Sequence, residues 1–95
     1  ANENSWRILF AIANVFSYNE YFKEAIPMWQ KTFDCMPKPR YTDSFEAMAQ
    51  CCVRMGDHES AVEYYKKELE LLREDWGLKY GAEVDALEEK IRALQ

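Results

Sequence analysis

One helix-pair pattern occurs twice in this chain of 95 residues, and the two copies stand 36 residues apart. In the first copy Leu9, Ile12, Ala13 and Phe16 are followed by Ala25, Trp29 and Pro37; in the second, Phe45, Met48, Ala49 and Cys52 are followed by Ala61 and Tyr65, with Arg73 where the proline would fall. The spacing has a mechanical reason. Small residues at 13, 25, 49 and 61 let two helices approach closely, while bulky Leu9, Phe16, Trp29, Phe45 and Tyr65 fill the space around them. A unit of this kind cannot bury its apolar face alone, so successive units stack into a continuous core.

Helical periodicity places the elements. The first helix is expected from about Ser5 to Tyr18, capped by Asn4 or Ser5, with an inward stripe of Ile8, Leu9, Ile12, Val15 and Phe16. Asn19, Glu20, Tyr21 and Phe22 form a tight turn, and a second helix runs from about Phe22 to Met36 with Ala25, Ile26, Trp29 and Phe33 inward. Pro27 falls early in that helix, among donors that have no internal acceptor if the helix starts near Lys23. Pro37 and Pro39 end it. A third helix starts near Thr42 or Asp43, with Asp43 and Glu46 spaced as a capping pair, and stops at Gly56. Asp57 caps a longer fourth helix from about Glu59 to Trp76, with Ala61, Val62, Tyr65, Leu69 and Leu72 inward. Gly77 and Gly81 bracket a break, and Val84, Leu87, Ile91 and Leu94 then recur as one buried face of a fifth helix.

The doubled pattern resembles the tetratricopeptide repeat, whose usual length of about 34 residues is exceeded here by the Pro-rich connection. The expected fold is therefore all-α: a superhelix of two antiparallel helix pairs, residues 6–39 and 42–75, within one domain spanning 1–95. Residues 82–94 form a C-terminal helix that caps the stack or opens a third repeat. The resemblance implies a protein-binding concave face made by the first helix of each pair, here Arg7, Phe10, Asn14 and Tyr18, then Asp43, Glu46, Gln50 and Arg54. Some family members clamp a peptide's terminal carboxylate there with basic residues and asparagines. This chain keeps Asn14 but has Phe10 and Ala47 at clamp positions, which points to a different protein or peptide segment as partner. Trp6 and Trp76 stand at the two ends of the pattern, where they cover an exposed end or meet a neighbour.

A narrower resemblance runs from Ala25 onward. Tyr64 to Leu69, Leu71 to Leu78, and then Glu83 to Leu87 with Ile91 are similar to the end of the bacterial transcriptional activator domain, a tetratricopeptide-like unit found beside a winged-helix DNA-binding domain. Tyr80 and Ala82 replace the prolines usual in that family's loop, and Trp76 replaces an aliphatic residue. This resemblance implies self-association or contact with the transcription machinery, while a separate basic domain reads DNA.

Composition excludes other classes. A net charge of −5 argues against direct nucleic-acid binding by this segment, since that affinity rests on clustered Lys and Arg. No apolar run approaches the length of a membrane span, and the Asn2-Glu3-Asn4 start lacks the basic and apolar regions of a signal peptide. Three cysteines, Cys35, Cys51 and Cys52, are an odd number without C-x-x-C spacing, as expected of a reducing cytoplasm. Adjacent Cys51 and Cys52 point about 100° apart on a helix and read as packing residues rather than metal ligands. The only histidine, His58, follows Gly56 and Asp57 as a solvated turn residue. With no phosphate loop or hydrolase motif, no catalytic, metal or cofactor site is expected, and the chain reads as a binding scaffold rather than an enzyme.

Overall fold

A computed structural model describes residues 5–95 of the chain. Within them lie five α-helices and no strand: α1 (Ser5–Tyr18), α2 (Phe22–Asp34), α3 (Asp43–Arg54), α4 (His58–Trp76) and α5 (Ala82–Leu94). The fold is all-α and tetratricopeptide-like. Each helix packs on the next in sequence, and α1 also reaches α3, so two helix pairs stack side by side and α5 lies against α4. Residues 1–4, including the alternative cap Asn4, lie outside the described residues.

The small positions of the pattern behave as their size requires. Ala13, Ala25, Ala49 and Ala61 are all fully buried, which is what close helix approach demands. Around them Trp29, Phe33, Phe45, Met48, Cys51 and Leu71 form one apolar cluster. Val62, Tyr65, Leu72, Val84, Leu87 and Ile91 form a second around Ala49. Helix α3 belongs to both.

The two intra-pair turns are built alike. Tyr21 N–H donates to Phe16 O at 2.9 Å, and Asp57 N–H donates to Cys52 O at 2.8 Å. Both turns need a left-handed residue, which is Glu20 (φ +65°) in the first and Gly56 (φ +80°) in the second. Asp57 caps α4 through its side chain, which accepts from Ser60 N–H at 3.1 Å. At the other end of α4, Gly77 adopts φ +65°, its N–H donates to Arg73 O, and Leu78 N–H donates to Leu72 O.

Four expectations are corrected. Of the stripe expected on α1, Leu9 and Phe16 are half-buried, but Ile8, Ile12 and Val15 are exposed. The cause is that α1 has a neighbouring helix on only part of its circumference among the described residues. Helix α2 ends at Asp34 rather than Met36, with Cys35 as C-cap, because the chain must turn before the two prolines. Pro27 lies inside α2, beyond the donors that a helix start leaves free, so the helix forgoes one bond, to the carbonyl of Lys23, an exposed residue. At α3, Thr42 makes no side-chain cap bond and Asp43 and Glu46 form no capping pair. Glu46 is drawn instead toward Lys90 of α5.

The long connection between the pairs, residues 35–42, is fastened to α4. Asp75 accepts from Arg40 N–H and Nε at 2.9 Å each and from Nη2 at 3.1 Å, and Trp76 Nε1 donates to Arg40 O at 2.7 Å. The bidentate fork fixes direction as well as distance. The Arg40 bonds hold the Asp75 carboxyl down to about 2, through its side chain first and its backbone N–H second.

Candidate functional site

Helices α1 and α3 border two successive hollows. The first, about 450 Å³, is lined by Trp6, Arg7 and Phe10 of α1 with Tyr41 and Asp43 at the start of α3. A second, about 330 Å³, is lined by Asn14 and Ser17 of α1 and by Ala47, Gln50, Cys51 and Arg54 of α3, with Trp29 and Tyr65 in its floor. Residue numbers climb together along both helices. The hollows therefore follow each other along one groove, on the face made by the first helix of each pair.

The floor is aromatic and internally bonded. Phe10 meets Trp29 edge to face at 5.0 Å, a favoured geometry because a ring's positive edge is attracted to its neighbour's negative face. Trp29 Nε1 donates to Ser17 Oγ at 2.8 Å, which leaves the buried indole satisfied. Ser17 Oγ also lies 3.7 Å from Cys51 Sγ, so one polar chain crosses α2, α1 and α3 beneath the groove. Burial pushes the Cys51 thiol up despite that contact, and likewise the Cys52 thiol. Neutral thiols are poor nucleophiles and poor metal ligands, so these two act as packing. Cys35 is exposed.

At the mouth of the first hollow the rings form a short ladder. Trp6 meets Phe10 at 6.4 Å and Tyr41 at 5.7 Å, and Tyr41 stacks on Trp76 at 6.2 Å. Arg7 lies over the Trp6 ring, with its guanidinium carbon 4.7 Å from the centroid. The two tryptophans assigned to the ends of the pattern thus converge on Tyr41 at one end of the groove. Trp76 remains 46% exposed there.

At the other end Arg54 pairs with Glu20 and lies over Phe22 at 5.1 Å, while Asn14 and Gln50 present exposed amides. Six of the eight residues assigned to this face, Arg7, Phe10, Asn14, Asp43, Gln50 and Arg54, line the hollows. Tyr18 does not, and at 91% exposure it points into solvent past the end of the groove.

Glu46 does not line the hollows either. It accepts from Lys90 Nζ at 2.7 Å and from Gln50 Nε2 at 3.0 Å, and it stands beside Glu68. Burial pulls Glu46 up, but its bonds from Lys90, Glu68 and Gln50 outweigh this and leave it lowered. Glu68 moves the other way. Burial first, and then Glu46, push it up to about 9, so it carries its proton at neutral pH and bonds to Glu46, while its Oε1 has no partner.

Periodicity missed Tyr41, Ser17 and Cys51 as lining residues. Tyr41 lies in the connection, where no period applies, and Ser17 is marked only by the tryptophan it serves. His58 is exposed at the start of α4, as expected of a turn residue. Among the described residues no cluster of His, Cys, Asp or Glu is arranged to hold a metal, and no helix is long and apolar enough to cross a membrane.

Neither the curated proteins nor the solved structures contain a match to this chain. Residues 44–75, about a third of the chain and nearly all of α3 and α4, match the family model of the tetratricopeptide repeat, in agreement with the helical arrangement seen across both pairs.

Proposed function

We propose that this module binds rather than catalyses, and that it holds a peptide segment of a partner protein in the groove between α1 and α3. The observation that carries the reading is the pair of hollows running along the first helices of both pairs. Their floor is aromatic, which offers contact area with few rotatable bonds. Their rims carry Asn14 and Gln50, side chains able to bond a peptide backbone, and charges of both signs in Asp43 and Arg54.

Selection of peptides from a displayed random library, followed by nuclear magnetic resonance mapping, tests this. Selected peptides are expected to shift the signals of Phe10, Asn14, Tyr41 and Gln50, and Phe10→Ala is expected to weaken them about tenfold or more, the loss typical of one central aromatic anchor. Helical circular dichroism should stay unchanged in that variant. Recovery of no binding peptide, or shifts confined to α5, would remove the groove reading.

A finer reading, a regulatory domain of a bacterial transcription activator that self-associates or meets the transcription machinery, is supported by the order of residues 64–91. The left-handed Gly77 and the return of α5 onto α4 accord with that order. A parent protein without a basic winged-helix domain would remove it.

A further inference from the structure

The two hollows of the groove differ in chemistry. Three rings wall the first at steep angles, with Trp6 at 79° to Phe10 and at 53° to Tyr41. Rings tilted in this way enclose a hollow of about 450 Å³ instead of stacking shut. The wall is also braced: Tyr41 stacks on Trp76 at 6.2 Å, and the Trp76 indole N–H is bonded to Arg40 O.

A carboxylate stands beside these rings. Asp43 lines the hollow and is exposed, and the ion pairs of the described residues, Arg40 with Asp75, Arg54 with Glu20, Lys90 with Glu46 and Arg92 with Glu89, leave it out. In the second hollow Arg54 is already paired, and the other polar side chains, Asn14, Ser17 and Gln50, are neutral. A cation of the chain itself marks what the first hollow attracts. The Arg7 guanidinium carbon lies 4.7 Å from the centroid of the Trp6 ring, within the roughly 6 Å over which a ring's negative face draws positive charge. Arg7 is exposed, so a cation from outside can take its place.

We infer that the first hollow is the seat of a basic side chain, a lysine or arginine of the bound segment, with the rings of Trp6, Phe10 and Tyr41 around it and Asp43 as counter-charge. Arg7 holds the seat in the free protein and is displaced on binding. An acidic occupant meets Asp43 with like charge, and an apolar one takes water from that carboxylate without supplying a partner. Helix α3 begins at the hollow, but Asp43 and Glu46 in its first turn oppose the positive end of its dipole. The net charge of −5 favours the same class of partner. The inference rests on the groove reading for its ligand being a segment of protein.

Nuclear magnetic resonance titration of the 95-residue chain with capped tripeptides, a lysine, norleucine or glutamate between two glycines, tests this at low salt. The lysine peptide is expected to shift the Trp6 indole N–H signal and to bind about fivefold more tightly than the norleucine peptide, which has nearly the same stem without the charge. Asp43→Asn should weaken the lysine peptide about threefold, and Arg7→Gln should strengthen it by about as much, both effects fading as salt is added. Helical circular dichroism should be unchanged in these variants, since both positions are exposed. Equal binding of norleucine and lysine overturns the inference, as does the lack of a saturable shift at Trp6. Tighter binding of the glutamate peptide, lost in Arg7→Gln, overturns it too and assigns the hollow to an anion. Lysine binding at Trp6 while no library peptide maps to the groove upholds this seat and removes only the wider groove reading.

Discussion

Glu68 is the residue whose behaviour departs furthest from its composition. A carboxyl buried at the junction of α3, α4 and α5 keeps its proton because desolvation disfavours the charge and Glu46 already holds the negative charge opposite Lys90. The unfolded chain loses that proton near 4.5 and the folded chain near 9. Between those values the folded state binds more protons, so stability falls as pH rises through the window, being fullest below it. Replacing Glu68 with Gln keeps the shape and removes the titration. Thermal midpoints measured between about pH 5 and 9 should decline for the wild type and stay nearly flat for Glu68→Gln; parallel profiles would show that Glu68 ionises freely in the fold. Asp75 works in the opposite sense: Arg40 holds it near 2, so its contribution is present above about 3.8 and is lost as pH falls toward 2. Neither behaviour was legible in the sequence. Helical spacing marks Glu46 as a capping partner and groove residue and Glu68 as one more charge on an amphipathic helix, and only the tertiary structure brings Lys90 of α5 to Glu46 and buries Glu68.

The elements themselves were largely legible, because their punctuation is local. Gly56, Asp57 and Gly77 stop, cap and stop helices through bonds that reach no further than one turn, and Pro37 and Pro39 act through their own rings. The first intra-pair turn lacks this advantage. Its left-handed position is held by Glu20, where the second copy has glycine, and a side chain with a Cβ costs about 1 kcal/mol in that region. Glu20→Gly should therefore stabilise the protein by about 0.5–1 kcal/mol in urea unfolding, since the exposed pair with Arg54 that it removes contributes little. A lower midpoint would mean that the ion pair outweighs the backbone strain. The capping pair expected from Asp43 and Glu46 failed for the converse reason: the spacing is right, but a partner distant in sequence offers Glu46 a stronger bond than the helix start does.

In the whole molecule α3 is shared by both apolar clusters, through Met48 and Cys51 on one side and Ala49 on the other. The two halves therefore cannot lose their packing independently. Met48→Ala, at a fully buried position, should cost roughly 2–5 kcal/mol, and helical circular dichroism and tryptophan fluorescence should still report one coincident transition. Separate transitions would show that the pairs fold as independent units. The doubled spacing of small and bulky residues was enough to determine the all-α class, the four helices of the two pairs and which alanines lie between them, because those follow from steric size repeated at a helical period, while the fifth helix was marked by the spacing of Val84, Leu87 and Ile91 after Gly81. What only the tertiary structure decided was which apolar residues are covered. Periodicity puts Ile8, Ile12 and Val15 on the same stripe as Leu9 and Phe16, yet burial depends on whether a neighbouring helix is there to meet them. The groove was decided at the same level, since its aromatic end is assembled from α1, the connection and the end of α4, pieces that no single period relates.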